Sequence, residues 1–364
     1  MENMKKLIMS LTAGFLLLAA ASAYEPPVQG ENLFYLSHPE LLTEGNSTAG
    51  GGLQSVLPAS GTINPALIGL EERVTLDLGY TGMFNSKPND GYTGVLTGVD
   101  GSQYILRNYG GSKLGYSQAF GTGIIVPTDW ANFGGEMEFI LDKKCMGLGN
   151  SFHMKTFAAK QFLDKLYIGV GVGFGYEWEF YDDWMLTADV GAVYNFGDLA
   201  FMKNFRVAAS ANNLGKTFNM KRDWMGWPGF SNIRAGAAAE FIQKENFSLG
   251  ASFDVTTPFF HNLILDSGLQ MRFNDFIQLN TSWQFNLKEY FDNNASWLPT
   301  IGLVFKFNIG MGNSDFVKKR DWTKSELCPS AAWKNVDWNI NMASVGAVLR
   351  LGQLDSSGPD IDME

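Results

Sequence analysis

Three histidines, His38, His153 and His261, are the first residues to weigh for metal or acid–base chemistry. They lie far apart in sequence, with none of the short spacings that put two ligands on one turn. Cys145 and Cys328 are the only cysteines, too few for a disulfide scaffold and without metal-ligand spacing. The glycines Gly169, Gly171, Gly173 and Gly175 alternate along one stretch and do not match a dinucleotide fingerprint, and the chain has neither a nucleophile elbow nor a phosphate loop. The strongest catalytic alternative is a set of carboxylates, Glu177, Asp254 and Asp266, that share the polar face of their segments, as in barrel lipases. The same face carries Arg206, Arg234, Arg272 and Arg350, so ion pairs between them, or contacts to water and neighbouring chain, are the simpler reading. The expectation is a chain that is not an enzyme, with no catalytic residues, no metal and no cofactor.

The elements that carry these residues are set by alternation. From Leu166 to Phe180 the even positions are all apolar, Leu166, Ile168, Val170, Val172, Phe174, Tyr176, Trp178 and Phe180, while the odd positions are mainly glycine and glutamate. A helix would spread those even residues around its circumference; a strand puts them on one face. The pattern resumes from Trp184 to Phe196 after a turn at Tyr181, Asp182 and Asp183. Phe205 to Ala211, Ile233 to Phe241, Phe247 to Val255, Leu263 to Phe273, Ile277 to Leu287, Ile301 to Met311 and Val345 to Leu351 follow the same rule. So do Val74 to Tyr80, Leu114 to Phe120 and Phe133 to Leu141, and, with a break around Thr156 and Phe157, Phe152 to Phe162. That makes about 13 strands.

Length and flanking signals decide which face is wet. Strands of soluble proteins average ~5 to 6 residues, whereas many here run to the ~9 to 11 tilted residues that cross an outer membrane. Aromatics gather near strand ends, as Trp178, Phe180 and Trp184 do, where such barrels place interfacial girdles. The first 23 residues have the form of a cleavable export signal: Lys5 and Lys6, an apolar run from Leu7 to Ala21, then Ala21-Ser22-Ala23. Removing Lys5, Lys6 and Glu2 from the 27 basic and 37 acidic residues leaves a formal charge of −11. That disfavours nucleic acid as a partner.

The fold class expected is all-β, a 14-stranded antiparallel transmembrane β-barrel in the bacterial outer membrane. Parity supplies the last strand. With Val74 to Tyr80 outgoing, the links at 127 to 132, 162 to 165, 242 to 246 and 274 to 276 are short and periplasmic, and those at 85 to 112, 214 to 231 and 288 to 299 are long and external. Thirteen strands would leave the C-terminus outside, so an extra one is expected around Asn313 to Trp322, inside the long link between Gly312 and Asp337. Cys145 and Cys328 then fall in external loops, either as an oxidised pair or as two separate thiols.

Ahead of the first strand, Tyr24 to Arg73 lacks alternation. It contains Ser47-Thr48-Ala49-Gly50-Gly51 and Asn64-Pro65-Ala66-Leu67, leading through Gly69 to a strand ending in Gly79-Tyr80. With Pro127-Thr128-Asp129-Trp130 before Gly134-Gly135, Ala211-Asn212-Asn213-Leu214-Gly215, and Leu351-Gly352-Gln353-Leu354-Asp355 with Pro359, these elements resemble, in order, the FadL-type long-chain fatty-acid outer-membrane transporter family, most of all a spirochaetal group within it. After the export signal at 1–23, the resemblance implies an N-terminal luminal hatch at 24–73 carrying Asn64, Pro65 and Ala66 and a transmembrane barrel at 74–354, which leaves a polar tail at 355–364. That tail departs from the terminal aromatic with which outer-membrane barrels usually close. The resemblance also implies capture of a hydrophobic ligand at external loops and release through a lateral gap beside a distorted strand. Gly134 and Gly135 are the candidates for that distortion, since glycine weakens a strand and often marks a bulge, or they make room for the hatch. Phe218, Trp224, Trp227 and Phe230 are candidates for a capture loop, or for a loop packed over the barrel mouth.

The partners implied are outer-membrane lipid, a fatty acid or other hydrophobic ligand, and the barrel-assembly machinery. Two other functions fit the same architecture: a non-transporting shuttle or scaffold barrel of a secretion system, and a water-filled diffusion porin. Fold alone does not choose between them.

Overall fold

The computed structural model describes residues 36–45, 47–85, 94–97, 103–106, 115–143, 150–178, 183–217, 231–258, 262–291, 297–311, 314–320, 322–336 and 340–352. Its main sheet closes on itself. In chain order the barrel strands are β1 Thr75–Asn85, β2 Tyr116–Pro127, β3 Asn132–Lys143, β4 Asn150–Phe162, β5 Leu166–Trp178, β6 Asp183–Leu199 and β7 Met202–Thr217. They continue as β8 Asn232–Lys244, β9 Phe247–Pro258, β10 Ile264–Phe273, β11 Ile277–Asn286, β12 Thr300–Phe305 with Phe307–Gly310, β13 Lys324–Val336 and β14 Ile340–Arg350. Each pairs antiparallel with its neighbours, and β1 with β14 completes the ring, Thr75 opposite Arg350 and Asn85 opposite Ile340. Closure leaves no unpaired edge, which is what lets a sheet lie in lipid. A separate hairpin, Gly94–Thr97 with Gln103–Leu106, occupies the first long link.

The burial pattern is that of a membrane barrel, inside out relative to a soluble protein. Leu78, Val172 and Val345 face outward at 65%, 63% and 56% exposure, whereas Arg206, Asp254 and Asn280 face inward fully buried. The wet side is therefore the lumen. The links after β2, β4, β6, β8 and β10 are short turns. Five residues in them, Leu163, Asp164, Ala200, Asn274 and Asp275, adopt left-handed backbone with φ between 50° and 57°. Thr75 and Arg350 lie at this same end, which in outer-membrane barrels faces the periplasm.

Three expectations need correction. The extra strand is β13, Lys324–Val336, and not the segment Asn313 to Trp322, where Asp315–Lys318 is a helical turn capped by Ser314. β13 is hard to recognise because Pro329 sits in its middle and proline argues against an internal strand. The structure shows how the ring accommodates it: β12 is interrupted between Val304, opposite Ser330, and Phe307, opposite Leu327, so the stretch facing Pro329 makes no ladder. Lys306, in that interruption, gives its N–H to Phe276 O instead. The second correction follows from the first. Cys328 lies within β13, opposite Val348, as a buried free thiol and not in an external loop; Cys145 falls outside the described residues.

The third concerns Gly134 and Gly135. Pairing runs unbroken through them on both sides, Gly134 opposite Ile125 and Phe157, Gly135 opposite Ile124 and Thr156. The irregularities lie around β6 to β9. In β7, Asn212 and Asn213 together oppose the single residue Asp189 of β6. Further shifts fall at Asn195 to Leu199 of β6 and near Glu240 of β8. The apparent break at Thr156 and Phe157 is no break in the backbone: Phe157 points inward, 4% exposed, against Gly61.

Candidate functional site

The segment from Leu36 to Arg73 runs inside the ring. Its short elements are a helical turn at Pro39–Thr43 and two 3-10 turns, Pro58–Thr62 and Pro65–Leu70, each started by a proline whose missing N–H costs nothing at a first turn. Leu36, Ala49, Ala59, Ile63, Asn64 and Ala66 are fully buried. A segment with so little regular structure leaves many backbone groups unpaired, and inside a barrel they must be met by wall side chains. They are. Arg206 donates to the carbonyls of Ala49 and Gly51, Arg272 to that of Leu53, and Arg350 to that of Val56. Asp254 accepts from Thr48 N at 2.5 Å and from the hydroxyls of Thr48 and Ser47. Arg234 and Asp266 face each other at 4.0 Å. Four of the six charged residues expected to line the lumen thus grip the segment directly.

Asn64, Pro65 and Ala66 form one attachment. Asn64 caps the turn that follows, its Oδ1 accepting from Ala66 N at 3.0 Å, while its amide donates to Thr48 O and to Ala192 O of β6. The chain passes so close to the wall that only glycine fits beneath it: a Cβ on Gly191 would strike Asn64 Oδ1, and one on Gly169, its cross-strand neighbour, would strike the Pro65–Ala66 backbone. One residue earlier, Ile63 O accepts from Ser210 Oγ at 2.8 Å and Asn212 Nδ2 at 2.6 Å. Asn212 belongs to the bulge in β7. That bulge is locked from the other side, where Asp189 accepts from Asn213 N at 2.6 Å and from Lys155 Nζ at 2.7 Å, and Lys155 also reaches Asn213 Oδ1. Asn213 has φ of 56°, a left-handed conformation that asparagine tolerates. The distorted strand and the Asn-Pro-Ala element are one connected structure.

Ser37 and His38 form a second attachment, against β1, β2 and β3. Ser37 gives both its N–H and its hydroxyl to Glu138 Oε2, at 3.1 and 2.6 Å. His38 Nε2 lies 2.7 Å from Glu136 Oε1 and Nδ1 lies 3.8 Å from Asp77 Oδ2. Burial works against charge on the imidazole, but the carboxylates of Asp77 and Glu136 outweigh it and push His38 up to about 10. Two further acids of the segment, Glu40 and Glu44, are buried away from water, which raises both above the ordinary glutamate range. Above this attachment, toward the long loops, the wall carries an apolar patch: Met83, Ala119, Ile140, Ile340 and Met342 are buried in one cluster with Leu36, in rows shared with the buried polar side chains of Ser117, Asp142 and Lys334.

A third contact surrounds the periplasmic mouth. Arg350 joins Glu71 and Glu326, Arg73 joins the same two acids, and Lys306 reaches Glu326 at 2.9 Å. Lysine and arginines hold Glu71 and Glu326 where the segment leads into β1. A cavity of about 400 Å³ lies beside them, bounded also by Glu240, Gln243 and Arg272.

The spacing of His38, Asp77, Glu136, Lys155 and Asp189 gives no sign of these meetings. The one available signal was parity, which turns Glu136 and Glu138 inward from a strand whose other face is Phe133, Met137 and Phe139. Phe218, Trp224, Trp227 and Phe230 lie outside the described residues, as does the side chain of Glu177.

No protein-family model and no curated protein sequence matches the chain. Among solved structures it is similar to the toluene transporter TbuX of Ralstonia pickettii, at 12% identity over 85% of this chain and 98% of that one, with a TM-score of 0.44. A FadL homologue of Pseudomonas aeruginosa is similar at 13% identity, over 84% and 97%, TM-score 0.43. The CymD monoaromatic hydrocarbon channel follows at 11% identity, over 85% and 98%, TM-score 0.41. The chain is a closed 14-stranded barrel of outer-membrane type, established by its own strand pairing and by its apolar exterior.

Proposed function

We propose that this barrel carries hydrophobic molecules, long-chain fatty acids foremost, across the outer membrane past a luminal hatch formed by its N-terminal segment. The observation that carries the reading is a lumen filled by the N-terminal segment, with an apolar patch on the inner wall beside the long loops. Near the long loops Met83, Ala119, Ile140, Ile340 and Met342 form a buried apolar patch around Leu36, and below it the lumen is occupied by the segment itself. A diffusion porin needs a continuous polar, water-filled passage; an apolar patch above a filled lumen suits a ligand that partitions out of water. Phe218, Trp224, Trp227 and Phe230 would present the first greasy surface, with outer-membrane lipid and the barrel-assembly machinery as the protein's other partners. The bulge at Asn212 and Asn213 is the place in the wall from which such a ligand would leave sideways, because it touches both the hatch and the disturbed pairing of β6 with β7.

The test is uptake of labelled oleate by cells or proteoliposomes containing the barrel, with ion conductance recorded on the same preparation. Uptake that disappears when Asn64 to Ala66 are deleted, in a barrel that still shows heat-modifiable migration, supports the proposal. Stable open-channel conductance without oleate uptake would establish the porin reading instead. Neither uptake nor conductance, together with co-purification of secretion components, would make the protein a scaffold barrel.

A further inference from the structure

The attachment at His38 differs in its balance from the ion-paired charge groups buried elsewhere in the lumen. Asp189 meets Lys155, Asp266 meets Arg234, and Glu71 and Glu326 meet Arg73 and Arg350. Asp77, Glu136 and Glu138 have no lysine or arginine in ion-pair contact among the described residues; the ion pairs that Asp77 and Glu136 make are with His38. All four side chains are nearly inaccessible, His38 at 1%, Asp77 at 4%, Glu136 at 3% and Glu138 at 1% exposure. Asp77 Oδ1, Glu136 Oε2 and Glu138 Oε1 are buried without any hydrogen-bond partner. Carboxylate oxygens in that state are costly, and burial of charge is ordinarily compensated by a counter-charge or a metal.

The wall beneath is built to leave room. Asp77, Gly123 and Glu136 stand side by side across β1, β2 and β3, and Gly79, Gly121 and Glu138 form the next row. A Cβ on Gly121 would lie 2.6 Å from His38 Nε2, one on Gly79 would lie 3.0 Å from Nδ1, and one on Gly123 would strike Glu136 Oε2. The glycines thus form a floor under the imidazole and the carboxylates.

We propose that His38, Asp77 and Glu136 bind a divalent transition-metal cation, of which zinc is the representative, and that the ion pins the N-terminal segment to β1 and β3. One donor atom from each of the three lies within 4.8 Å of the other two. Zinc holds nitrogen and oxygen ligands at ~2.0 to 2.2 Å, which sets them about 3.3 to 3.6 Å apart, so the 2.7 Å contact of His38 Nε2 with Glu136 Oε1 opens by somewhat under 1 Å when the ion enters, while donors standing farther apart draw in. One imidazole with carboxylates is a donor set for zinc or manganese; calcium favours oxygen alone, and copper(I) favours sulfur. Glu138, tied to Ser37, holds the backbone beside the site and is a positioning residue. The site makes no use of the transport reading, so uptake can fail while metal binding holds.

The experiment uses the full-length protein in detergent, stripped with a chelator, dialysed and titrated with zinc chloride, with bound metal counted by mass spectrometry. The expected result is about one equivalent per chain, carried on imidazole and carboxylates whose protons it displaces. Cobalt(II) in its place gives visible d–d bands of nitrogen–oxygen coordination, and zinc slows amide exchange in residues 36–45. His38→Ala and Glu136→Gln each weaken zinc binding by at least about tenfold, while Glu245→Gln, at an exposed acid in the turn between β8 and β9, leaves it unchanged. Less than about a tenth of an equivalent on correctly assembled wild-type protein, well above the micromolar zinc range, overturns the proposal whatever the variants do. So does a full equivalent retained in both His38→Ala and Glu136→Gln. If a variant does not assemble, the wild-type stoichiometry and the cobalt spectrum still decide.

Discussion

Two of the places where the N-terminal segment is held to the barrel are of opposite electrostatic character. At Asn64 the contacts are between matched partners: neutral amide and carbonyl groups, glycines at contact distance, and behind them one lysine for one aspartate. At His38 one base faces three carboxylates, and three oxygens have no partner. The first arrangement is complete as it stands. The second is complete only with added positive charge, so the two attachments should respond differently to substitution and to metal.

The largest effect is expected where a matched pair is split. Lys155→Ala leaves Asp189 buried without its counter-ion, which costs about 3 to 5 kcal/mol; urea unfolding of the folded barrel in detergent should show that loss, and a change below about 1 kcal/mol would mean the pair is not the lock of the β7 bulge. Next, Gly191→Ala places a methyl against Asn64 Oδ1. Overpacking of this kind costs about 1 to 3 kcal/mol and should loosen the segment, read as faster proteolysis around residues 60–70 with the barrel still intact. Asn64→Ala removes the cap and two further hydrogen bonds, for about 1 to 2 kcal/mol, measured by the same unfolding midpoint. A midpoint equal to wild type would mean the Asn-Pro-Ala element is not what fixes the segment. The smallest change, and of the other sign, is expected at the unmatched attachment. Glu136→Gln in chelator removes one of three crowded negative charges and should raise stability slightly, by under about 1 kcal/mol. If it is instead as damaging as Lys155→Ala, the two attachments are alike and the contrast fails.

Much of the barrel is legible in the sequence. Leu166 to Phe180 shows why: a strand with lipid on one side and a lumen on the other must alternate, so its outward face can be read residue by residue. Parity then demanded an even ring, correctly, but placed the extra strand at Asn313 to Trp322. The true strand carries Pro329 in its centre and only Leu327, Ala331 and Trp333 as unambiguous apolar outward residues, so both cues were weak. Gly134 and Gly135 were misleading in the opposite direction. Glycine marks bulges often enough to suggest one, yet here the pairing is regular, and Ile68 of the segment packs 3.2 Å from where a Gly134 Cβ would stand. Glycine on the luminal side of this wall reports close approach of the segment more than it reports distortion.

The sequence by itself determined which residues face lipid and which face the lumen, because that choice is made locally, every second residue, by the solvent on each side. It also placed Arg206, Asp254 and Arg350 on the inner wall. Only the tertiary structure decided what those inner residues meet. Ser37 and Glu138 are 101 positions apart, His38 and Glu136 98, and Asn64 and Ala192 128. No periodicity links such pairs: the segment has no repeat of its own, and its path is fixed by where a ring of fourteen strands, closed by the pairing of β1 with β14, leaves glycine floors and unsatisfied charge. The same closure brings a histidine with no neighbouring ligand in sequence against two carboxylates, one on β1 and one on β3.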